Sequence, residues 1–454
     1  MKRSSFVLPL LVLWLLIFLI FSTKARKYHG KKFEMHISDQ NISPGGAFPV
    51  TESPPVFSIL SFGAIADGIS DDSMSLLAAW ESACSFNGGV VIIPSDFMFM
   101  IKPVTLQGPC MPNLVLQIDG TILAPPEIIS WPKNSLYQWL NFKWVQNFTV
   151  QGTGTADGQG SNWWSCPRKK RARQSRLMKP TALRFYASYN VTVRDISIIN
   201  SPLCHLKFDN SKGVKVENVA IYAPEYSPNT DGIHLQNSQD VEIMHSDIGT
   251  GDDCVSIQTG CSNIHVHHIN CGPGHGISLG GLGKDKSVAC VSNILVDNII
   301  MQNTMYGARI KTWQGGLGLV TNVTFSNIQV SDVKVPIIID QYYCDKRVCA
   351  NQTEAVAISG IKFDQIIGTY TSQPIKLACS NSIPCVDVDL VSIELKRSSH
   401  YRGGAHRDQG VCWNSYGRTS GPLVPESMDY CLRSGSEYVK GLARSQDVGC
   451  SLGS

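Results

Sequence analysis

Six short segments in the middle of the chain share one pattern and recur at a nearly regular spacing. Each alternates apolar with polar residues, which is typical of β-strands because successive side chains point to opposite faces. The second residues of these segments lie 23 to 30 positions apart. The segments are NVTVRDISI (190–198), GVKVENVAI (213–221), DVEIMHSDI (240–248), NIHVHHINC (263–271), NILVDNIIM (293–301) and NVTFSNIQV (322–330).

A second series of alternating segments interleaves with the first: HLKFDNS (205–211), DGIHLQNS (231–238), DCVSIQTG (253–260), HGISLGG (275–281) and GARIKTW (307–313). Two strand types that repeat at this period, with almost no helical periodicity, indicate a solenoid in which each repeat forms one coil. Leucine-rich repeats share the period, but their leucine pattern is absent. We therefore predict an all-β parallel β-helix over residues 56–395, with residues 74–86 as a helix that caps its first coil.

The N-terminus of the chain indicates export. Lys2 and Arg3 precede an apolar run over residues 6–21, and small residues follow it near position 25, so residues 1–25 are predicted to be a signal peptide. A retained signal anchor is the alternative. Residues 26–55 are predicted to form an N-terminal extension, and residues 396–454 a tail clipped by disulfides. The formal net charge of +3 is too small to suggest nucleic acid or a membrane surface as a partner.

Cysteines and glycosylation motifs agree with export. The chain has 15 cysteines, and the odd total leaves one thiol unpaired. The close pairs Cys344/Cys349 and Cys379/Cys385 are predicted to clip loops, and no CxxC pair suggests a zinc site. Five N-x-[S/T] motifs suit a glycosylated surface: Asn41, Asn147, Asn190, Asn322 and Asn351.

Alignment of the second series predicts which of its side chains meet. Two columns should face the core, the first formed by Ile233, Val255, Ile277 and Ala308, the second by Leu235, Ile257, Leu279 and Ile310. Arg309 and Lys311 then point outward. Asp231, Asp253 and His275 share the position where each strand begins, and Asp252 precedes Asp253. Because parallel strands lie about 4.8 Å apart, we expect one compact row of carboxylates, imidazole and cations.

Such a row suits the hydrolysis of a glycosidic bond. That reaction needs a protonated carboxyl on one side of the bond and an ionised carboxylate on the other. Crowded aspartates push their pKa values apart, which can keep one of them protonated at mildly acidic pH. The neighbouring arginine and lysine suit an anionic sugar, since both pair well with carboxylates.

Four motifs in this row resemble the signature of the polygalacturonases, glycoside hydrolase family 28: NTDG (229–232), GDDC (251–254), GHG (274–276) and RIK (309–311). The segments VFSILSFGAIADGISDD, DGQGSNWW and TALRFY are similar to the plant secreted branch. The resemblance implies a right-handed β-helix that hydrolyses α-1,4-galacturonosidic bonds of pectin with inversion. It further implies a secreted, monomeric enzyme of the cell wall that needs neither cofactor nor metal.

The resemblance also implies residue roles. Asp252 corresponds to the general acid, Asp231 and Asp253 to the residues that activate water, and His275 to a histidine that supports the acidic cluster. The substrate-binding positions are Asn229, which orients the site, Arg309 and Lys311, which hold the sugar carboxylate, and Tyr343, which contacts the sugar. Cys254 and Cys271 correspond to a disulfide that brackets the catalytic coil.

Several alternatives remain open at this point. A calcium-dependent pectate lyase would use an aspartate cluster to bind its metal. A rhamnogalacturonan or xylogalacturonan hydrolase would fit the aspartates, and endo and exo action are not distinguished. A non-catalytic pectin-binding β-helix should lack a catalytic aspartate, and none is missing here. His265, His267 and His268 resemble a metal cluster, but alternation is expected to divide them between the two faces of a strand.

Overall fold

The computed structural model describes residues 54–132, 138–164, 179–345, 349, 351–399, 408–444 and 450. The predicted signal peptide, nearly all of the N-terminal extension, Asn41 and a basic run at 168–176 lie outside the described residues. The described residues belong to one compact unit, Ser53–Ser454.

Eleven strands form a sheet in which each strand pairs in parallel with that of the next coil. This sheet carries the second series of segments. Its strands are β5 (Val104–Gln107), β8 (Gln138–Lys143), β11 (Thr181–Tyr186), β14 (Leu206–Asp209), β17 (Ile233–Gln236), β19 (Val255–Ile257), β21 (Ile277–Leu282), β23 (Tyr306–Trp313), β25 (Val335–Tyr343), β27 (Ile375–Ala378) and β29 (Val411–Trp413).

The remaining 19 described strands form a second sheet of two parallel rows, which merge where β18 pairs with both β15 and β16. One row contains β1 (Val56–Ser58), β3 (Val90–Ile93), β6 (Leu114–Ile118), β9 (Gln146–Gln151), β12 (Tyr189–Arg194), β15 (Lys212–Glu217), β18 (Gln239–Gly249), β20 (Cys261–Cys271), β22 (Val288–Gln302), β24 (Leu317–Val333), β26 (Ala357–Tyr370), β28 (Cys385–Arg397) and β30 (Ser415–Val424). The other contains β2 (Asp67–Asp71), β4 (Met98–Met100), β7 (Thr121–Leu123), β10 (Thr155–Asp157), β13 (Ser197–Ile199) and β16 (Ala220–Tyr222). The predicted parallel β-helix is thus confirmed.

Stacked apolar columns fill the space between the sheets. Ile233, Val255, Ile277 and Ala308 are register partners on successive coils, as predicted, and all are buried. Aromatic residues stack in the same way, with 4.6 Å between the rings of Phe142 and Phe185 and 4.9 Å between those of Phe185 and Phe208. Each coil therefore buries its apolar face only against its neighbours, which explains why the pattern must repeat.

Turns at equivalent places in successive coils take a left-handed backbone conformation, which asparagine tolerates better than most residues. In one such column, Asn190 donates to Asn147 at 3.1 Å and Asn322 donates to Asn293 at 2.8 Å. A second column holds Asn218, His245, His268, Asn298 and Asn327, whose φ angles lie between 48° and 54°. Histidine thus occupies two positions that asparagine fills in neighbouring coils.

Four described helices complete the fold: α1 (Ser73–Cys84), α2 (Ser161–Trp164), α3 (Ser427–Cys431) and α4 (Glu437–Arg444). Three short 3₁₀ turns span Ile59–Phe62, Ile128–Ser130 and Lys284–Lys286. Helix α1 is the predicted cap. It buries Leu76, Ala79, Trp80 and Ala83 against the first coils, where the Trp80 ring lies 5.2 Å from that of Phe148.

Six disulfides lie within the described residues: Cys84–Cys110, Cys254–Cys271, Cys290–Cys450, Cys344–Cys349, Cys379–Cys385 and Cys412–Cys431. The expected bridge Cys254–Cys271 and the two loop clips are confirmed. The expectation of one unpaired thiol is wrong, because Cys204 and Cys261 are both free and buried. Burial raises the pKa of Cys261 to about 12, so this thiol stays protonated and unreactive.

Candidate active site

The candidate site lies where strands β17, β19 and β21 begin and along β23. Backbone hydrogen bonds hold the coils in place there: Gly232 donates to the Asp253 carbonyl at 2.9 Å, and His275 donates to the Asp252 carbonyl at 2.8 Å. These bonds bring the entry residues of consecutive coils side by side. We call Asp231, Asp252, Asp253, His275, Arg309 and Lys311 the catalytic row.

Asp252 is held by polar neighbours from two other coils. Its Oδ1 lies 3.0 Å from His275 Nδ1, and its Oδ2 accepts a hydrogen bond from Asn229 Nδ2 at 3.2 Å. Burial alone would raise the pKa of Asp252, but the hydrogen bond and charge of His275, with the charge of Lys311, bring it below the ordinary value. The side chain keeps 14% of its surface exposed, so a substrate can reach it.

Asp253 sits deeper and faces the two cations. Its side chain is 2% exposed, and its Oδ2 accepts a hydrogen bond from Lys311 Nζ at 2.7 Å. Ser278 Oγ donates to Oδ1 at 2.7 Å, and Arg309 Nη1 lies 3.8 Å from the same oxygen. Burial would lower the pKa of Lys311, but the charge of Asp253 raises it above the ordinary value. The negative charge of the Asp253 carboxylate is therefore balanced by the two neighbouring cations.

Asp231 has the opposite electrostatic environment to Asp252. Burial raises its pKa above the ordinary value, the negative charge of Asp252 adds to that shift, and a 2.9 Å contact with His234 Nδ1 only partly opposes it. The site thus separates the proton affinities of two neighbouring carboxyls, as acid–base catalysis requires. In the structure, Asp231 holds its proton to higher pH than Asp252 does, which differs from the roles implied by resemblance.

Aromatic rings flank the cations. The Arg309 guanidinium lies 3.9 Å from the Tyr306 ring centre and 5.7 Å from that of Tyr343, and Lys311 Nζ lies 5.6 Å from the latter. Arg309 Nε is buried and is among the few described side-chain atoms without a hydrogen-bond partner. Arg309 can therefore still donate a hydrogen bond to an anion, whereas the ammonium group of Lys311 is already paired with Asp253.

The sequence-predicted residues are brought together, but three neighbours were missed. His234 and Ser278 lie between inward-facing residues on β17 and β21, in the same outward column as Arg309. The alternation that singled out Arg309 could have identified both. His205 is fully buried behind Asp231, and no periodic signal marks it.

A metal ion is disfavoured within the catalytic row. Asp252, Asp253 and His275 offer ligand atoms that lie within 4.8 Å of one another. However, Lys311 and Arg309 already place positive charge beside Asp253. This arrangement argues against the calcium site of a lyase, whose ligands would be carboxylate oxygens free of such cations.

The expectation that alternation divides His265, His267 and His268 between two faces is wrong. His265 and His267 are two residues apart on β20 and share its outer face. The backbone turns at His268, where φ is 53°, so that its side chain stays on that surface. The Nδ1 atoms of His267 and His268 lie 2.8 Å apart.

His205, which lies beside Asp231, should make the free energy of unfolding depend on pH. Its Nδ1 donates to the Asp231 carbonyl at 3.1 Å, and its Nε2 accepts from the Ser201 amide at 3.2 Å, so the neutral ring is fully satisfied. Burial lowers its pKa from 6.5 to about 4. The unfolded chain therefore binds a proton first as the pH falls. We expect this residue to remove about 3 kcal/mol of stability between pH 6.5 and 4.

The test is urea unfolding at several pH values between 7.5 and 4. His205→Gln, which keeps one donor and one acceptor, should flatten the fall in unfolding free energy, whereas the exposed His245→Asn should not. An unchanged slope in His205→Gln would show that other groups cause the acid sensitivity.

Comparison with known proteins agrees with this geometry. Residues 87–409 match the family described as glycosyl hydrolases family 28. The chain is 37% identical to a probable polygalacturonase of Arabidopsis thaliana, over 95% of the chain and 96% of the relative, and 43% identical to a polygalacturonase of Persea americana, over 77% and 75%. Its fold is similar to the polygalacturonase of Erwinia carotovora (TM-score 0.62, 22% identity, 88% and 100% covered) and the endo-xylogalacturonan hydrolase of Aspergillus tubingensis (TM-score 0.66, 21% identity, 84% and 99% covered). The chain belongs to family 28 of the glycosyl hydrolases.

Proposed function

We propose that this protein is a polygalacturonase, which hydrolyses α-1,4-galacturonosidic bonds of de-esterified pectin by an inverting mechanism and so modifies the cell wall. One observation carries the proposal: three carboxyls lie beside Arg309 and Lys311 on one face of the β-helix, and the pKa values of two of them, Asp231 and Asp252, are shifted in opposite directions. The carboxyls supply acid and base, and the cations suit a polymer with a carboxylate on every sugar.

In this mechanism, Asp252 donates its proton to the leaving glycosidic oxygen as that bond breaks. Asp231 and Asp253 orient a water, and one of these two carboxylates takes its proton as the water oxygen bonds to the anomeric carbon. Asp252 must be protonated at that moment. A substrate carboxylate entering the site adds negative charge and excludes water, and both changes raise the pKa of Asp252.

Substrate positioning falls to residues around the reacting carboxyls. Arg309 has a buried donor without a partner and lies over Tyr306, so it is the proposed anchor of the sugar carboxylate. Tyr343 lines the same wall and supplies a ring for the sugar face. Asn229 fixes Asp252 through its amide, and Lys311 supports the site mainly through its ion pair with Asp253.

The proposed setting is the extracellular cell wall, where the protein acts as a monomeric glycoprotein. The proposed arrangement is a signal peptide over residues 1–25, an extension to residue 55, a catalytic β-helix to residue 395 and a disulfide-clipped tail. The disulfides support an oxidising compartment, and Asn147, Asn190 and Asn322 are exposed. Within the described part of the chain, every helix is too short or too polar to span a bilayer.

The experiment is incubation of the secreted protein with polygalacturonate in excess chelator at mildly acidic pH. We expect new reducing ends with no rise in ultraviolet absorbance, since a lyase would form an unsaturated product. The chain lengths of the products distinguish endo from exo action. Folded protein that releases no reducing ends would overturn the proposal, as would activity that chelator abolishes.

The charge of the substrate should matter through Arg309. Arg309→Met should lower kcat/KM on polygalacturonate by roughly 10- to 100-fold, because a charge-assisted hydrogen bond contributes about 1.5–3 kcal/mol. On methyl-esterified pectin, which lacks that charge, the loss should be much smaller. An equal loss on both polymers would mean that Arg309 does not bind the sugar carboxylate.

A further inference from the structure

A second polar cluster lies on the outer face of the 19-stranded sheet, away from the strands that carry the catalytic row. Glu242 and His265 are register partners on β18 and β20, and His267 is flanked by Met244 on β18 and Asp297 on β22. We call Glu242, His245, His265, His267, His268 and Asp297 the histidine patch. Its rings are close, with 4.2 Å between the centres of His265 and His267 and 4.9 Å between those of His245 and His268.

Both ring nitrogens of His267 lie beside polar atoms, and one of its two tautomers leaves a lone pair free for a cation. Its Nδ1 lies 2.8 Å from His268 Nδ1, and its Nε2 lies 3.4 Å from Glu242 Oε1. When Nδ1 carries the proton and donates to His268, the lone pair of Nε2 faces a carboxylate oxygen. Two acceptors then point at each other, and a cation between them would satisfy both.

His267 is also held in place by its neighbours. Its side chain is only 12% exposed, and its ring packs against that of His265 with 4.2 Å between the ring centres. Metal-binding histidines usually use their second nitrogen in a hydrogen bond that fixes the ring, and His268 provides that partner.

We propose that Glu242, His265 and His267 form a binding site for a divalent transition metal of the zinc type. Imidazole nitrogens and a carboxylate oxygen are common zinc ligands, and here the three atoms lie within 4.8 Å of one another. A tetrahedral site needs separations of about 3.4 Å, given metal–ligand bonds of about 2.0–2.1 Å. Glu242 and His265 can close this gap by small rotations, since their side chains are 45% and 39% exposed.

Charge around the site favours a cation. Asp297 Oδ1 lies 3.3 Å from His265 Nε2 and adds a second negative group beside the three ligands. The catalytic row differs, since Lys311 Nζ occupies a carboxylate oxygen of Asp253 at 2.7 Å. Zinc should therefore prefer the histidine patch to the other acidic cluster.

The test is calorimetric titration of the full secreted protein with Zn²⁺ alone, at a pH near 6.5. We expect one zinc to bind the wild type, and His267→Gln to weaken binding at least about tenfold. His245→Asn is the matched control, because it changes an exposed histidine of the patch that is not a ligand. Asp252→Asn controls for the catalytic row. Both controls should bind zinc as the wild type does.

Thermal unfolding with and without Zn²⁺ gives a second readout, since a ligand that binds only the folded state raises the melting temperature. Zinc should raise the melting temperature of wild type and of His245→Asn, but not that of His267→Gln. If His267→Gln does not fold, the more exposed His265→Asn replaces it. Wild type that binds no zinc, binding that survives both ligand substitutions, or binding lost in Asp252→Asn would overturn the site.

Discussion

Asp252→Asn is expected to lower kcat on polygalacturonate by about 10²- to 10⁴-fold, the usual range for loss of a general acid or base. The amide has nearly the same volume as the carboxyl, so the packing is preserved. It cannot donate an acidic proton to the leaving oxygen. The measurement is the initial rate of reducing-end formation at saturating substrate, together with the melting temperature of the variant.

Asp240→Asn is a suitable control for this substitution, because Asp240 is also hydrogen-bonded to an asparagine of a neighbouring coil but lies on the exposed turn column. It should retain wild-type rates. If Asp252→Asn kept more than about a tenth of the wild-type rate, the proton would come from another group. Asp231, whose pKa is raised by burial, would then be the next candidate.

Lys311→Met should destabilise the fold by about 3–5 kcal/mol, because it leaves the carboxylate of Asp253 buried without its nearest counter-charge. Arg309, whose Nη1 lies 3.8 Å from Asp253, compensates only in part. Activity should also fall on acidic and methylated polymers alike, since Asp253 would lose the ion pair that holds its carboxylate in place. Urea unfolding and kcat/KM measure the two effects.

A double-mutant cycle separates the pair from the rest of the site. Asp253→Asn alone should cost stability, but the double variant should cost less than the sum of the single changes, because no charge is left buried and unpaired. Lys376→Met is the matched control. Lys376 lies on the same sheet and bonds Asp340 at 2.9 Å, but its side chain is 36% exposed, so about 0–1 kcal/mol is expected. Strict additivity in the cycle would contradict a stabilising Lys311–Asp253 pair.

The sequence predicted the inward columns correctly because strand alternation and coil stacking are both periodic. Ile233, Val255 and Ile277 need only be aligned by their apolar neighbours to be placed one above another. The same periodicity explains why the aspartates and cations were expected on one face. It contains no information on side-chain direction within that face, so the bond between Lys311 and Asp253 was not foreseen.

Departures from periodicity account for the remaining errors. A single left-handed residue reverses the alternation, which is why His268 stays on the surface with His267. His205 can be buried because its ring bonds two backbone groups, and a lone histidine just before a strand does not indicate such partners. The bridge Cys290–Cys450 joins cysteines separated by 160 positions, a pairing that spacing cannot predict.

The stacked coils have a consequence for how this architecture can acquire new chemistry. The location of each side chain is defined by its coil and by its position within that coil. Side chains that are neighbours on adjacent coils therefore come from residues roughly one repeat apart in the sequence. Exchanging Asn for His at one turn position, as at positions 245 and 268, leaves the left-handed backbone conformation of the turn unchanged. Two or three such exchanges on adjacent coils can therefore assemble a cluster of ligands by point substitution alone. A lineage of β-helix proteins can gain or lose surface sites in this way while its catalytic residues stay fixed.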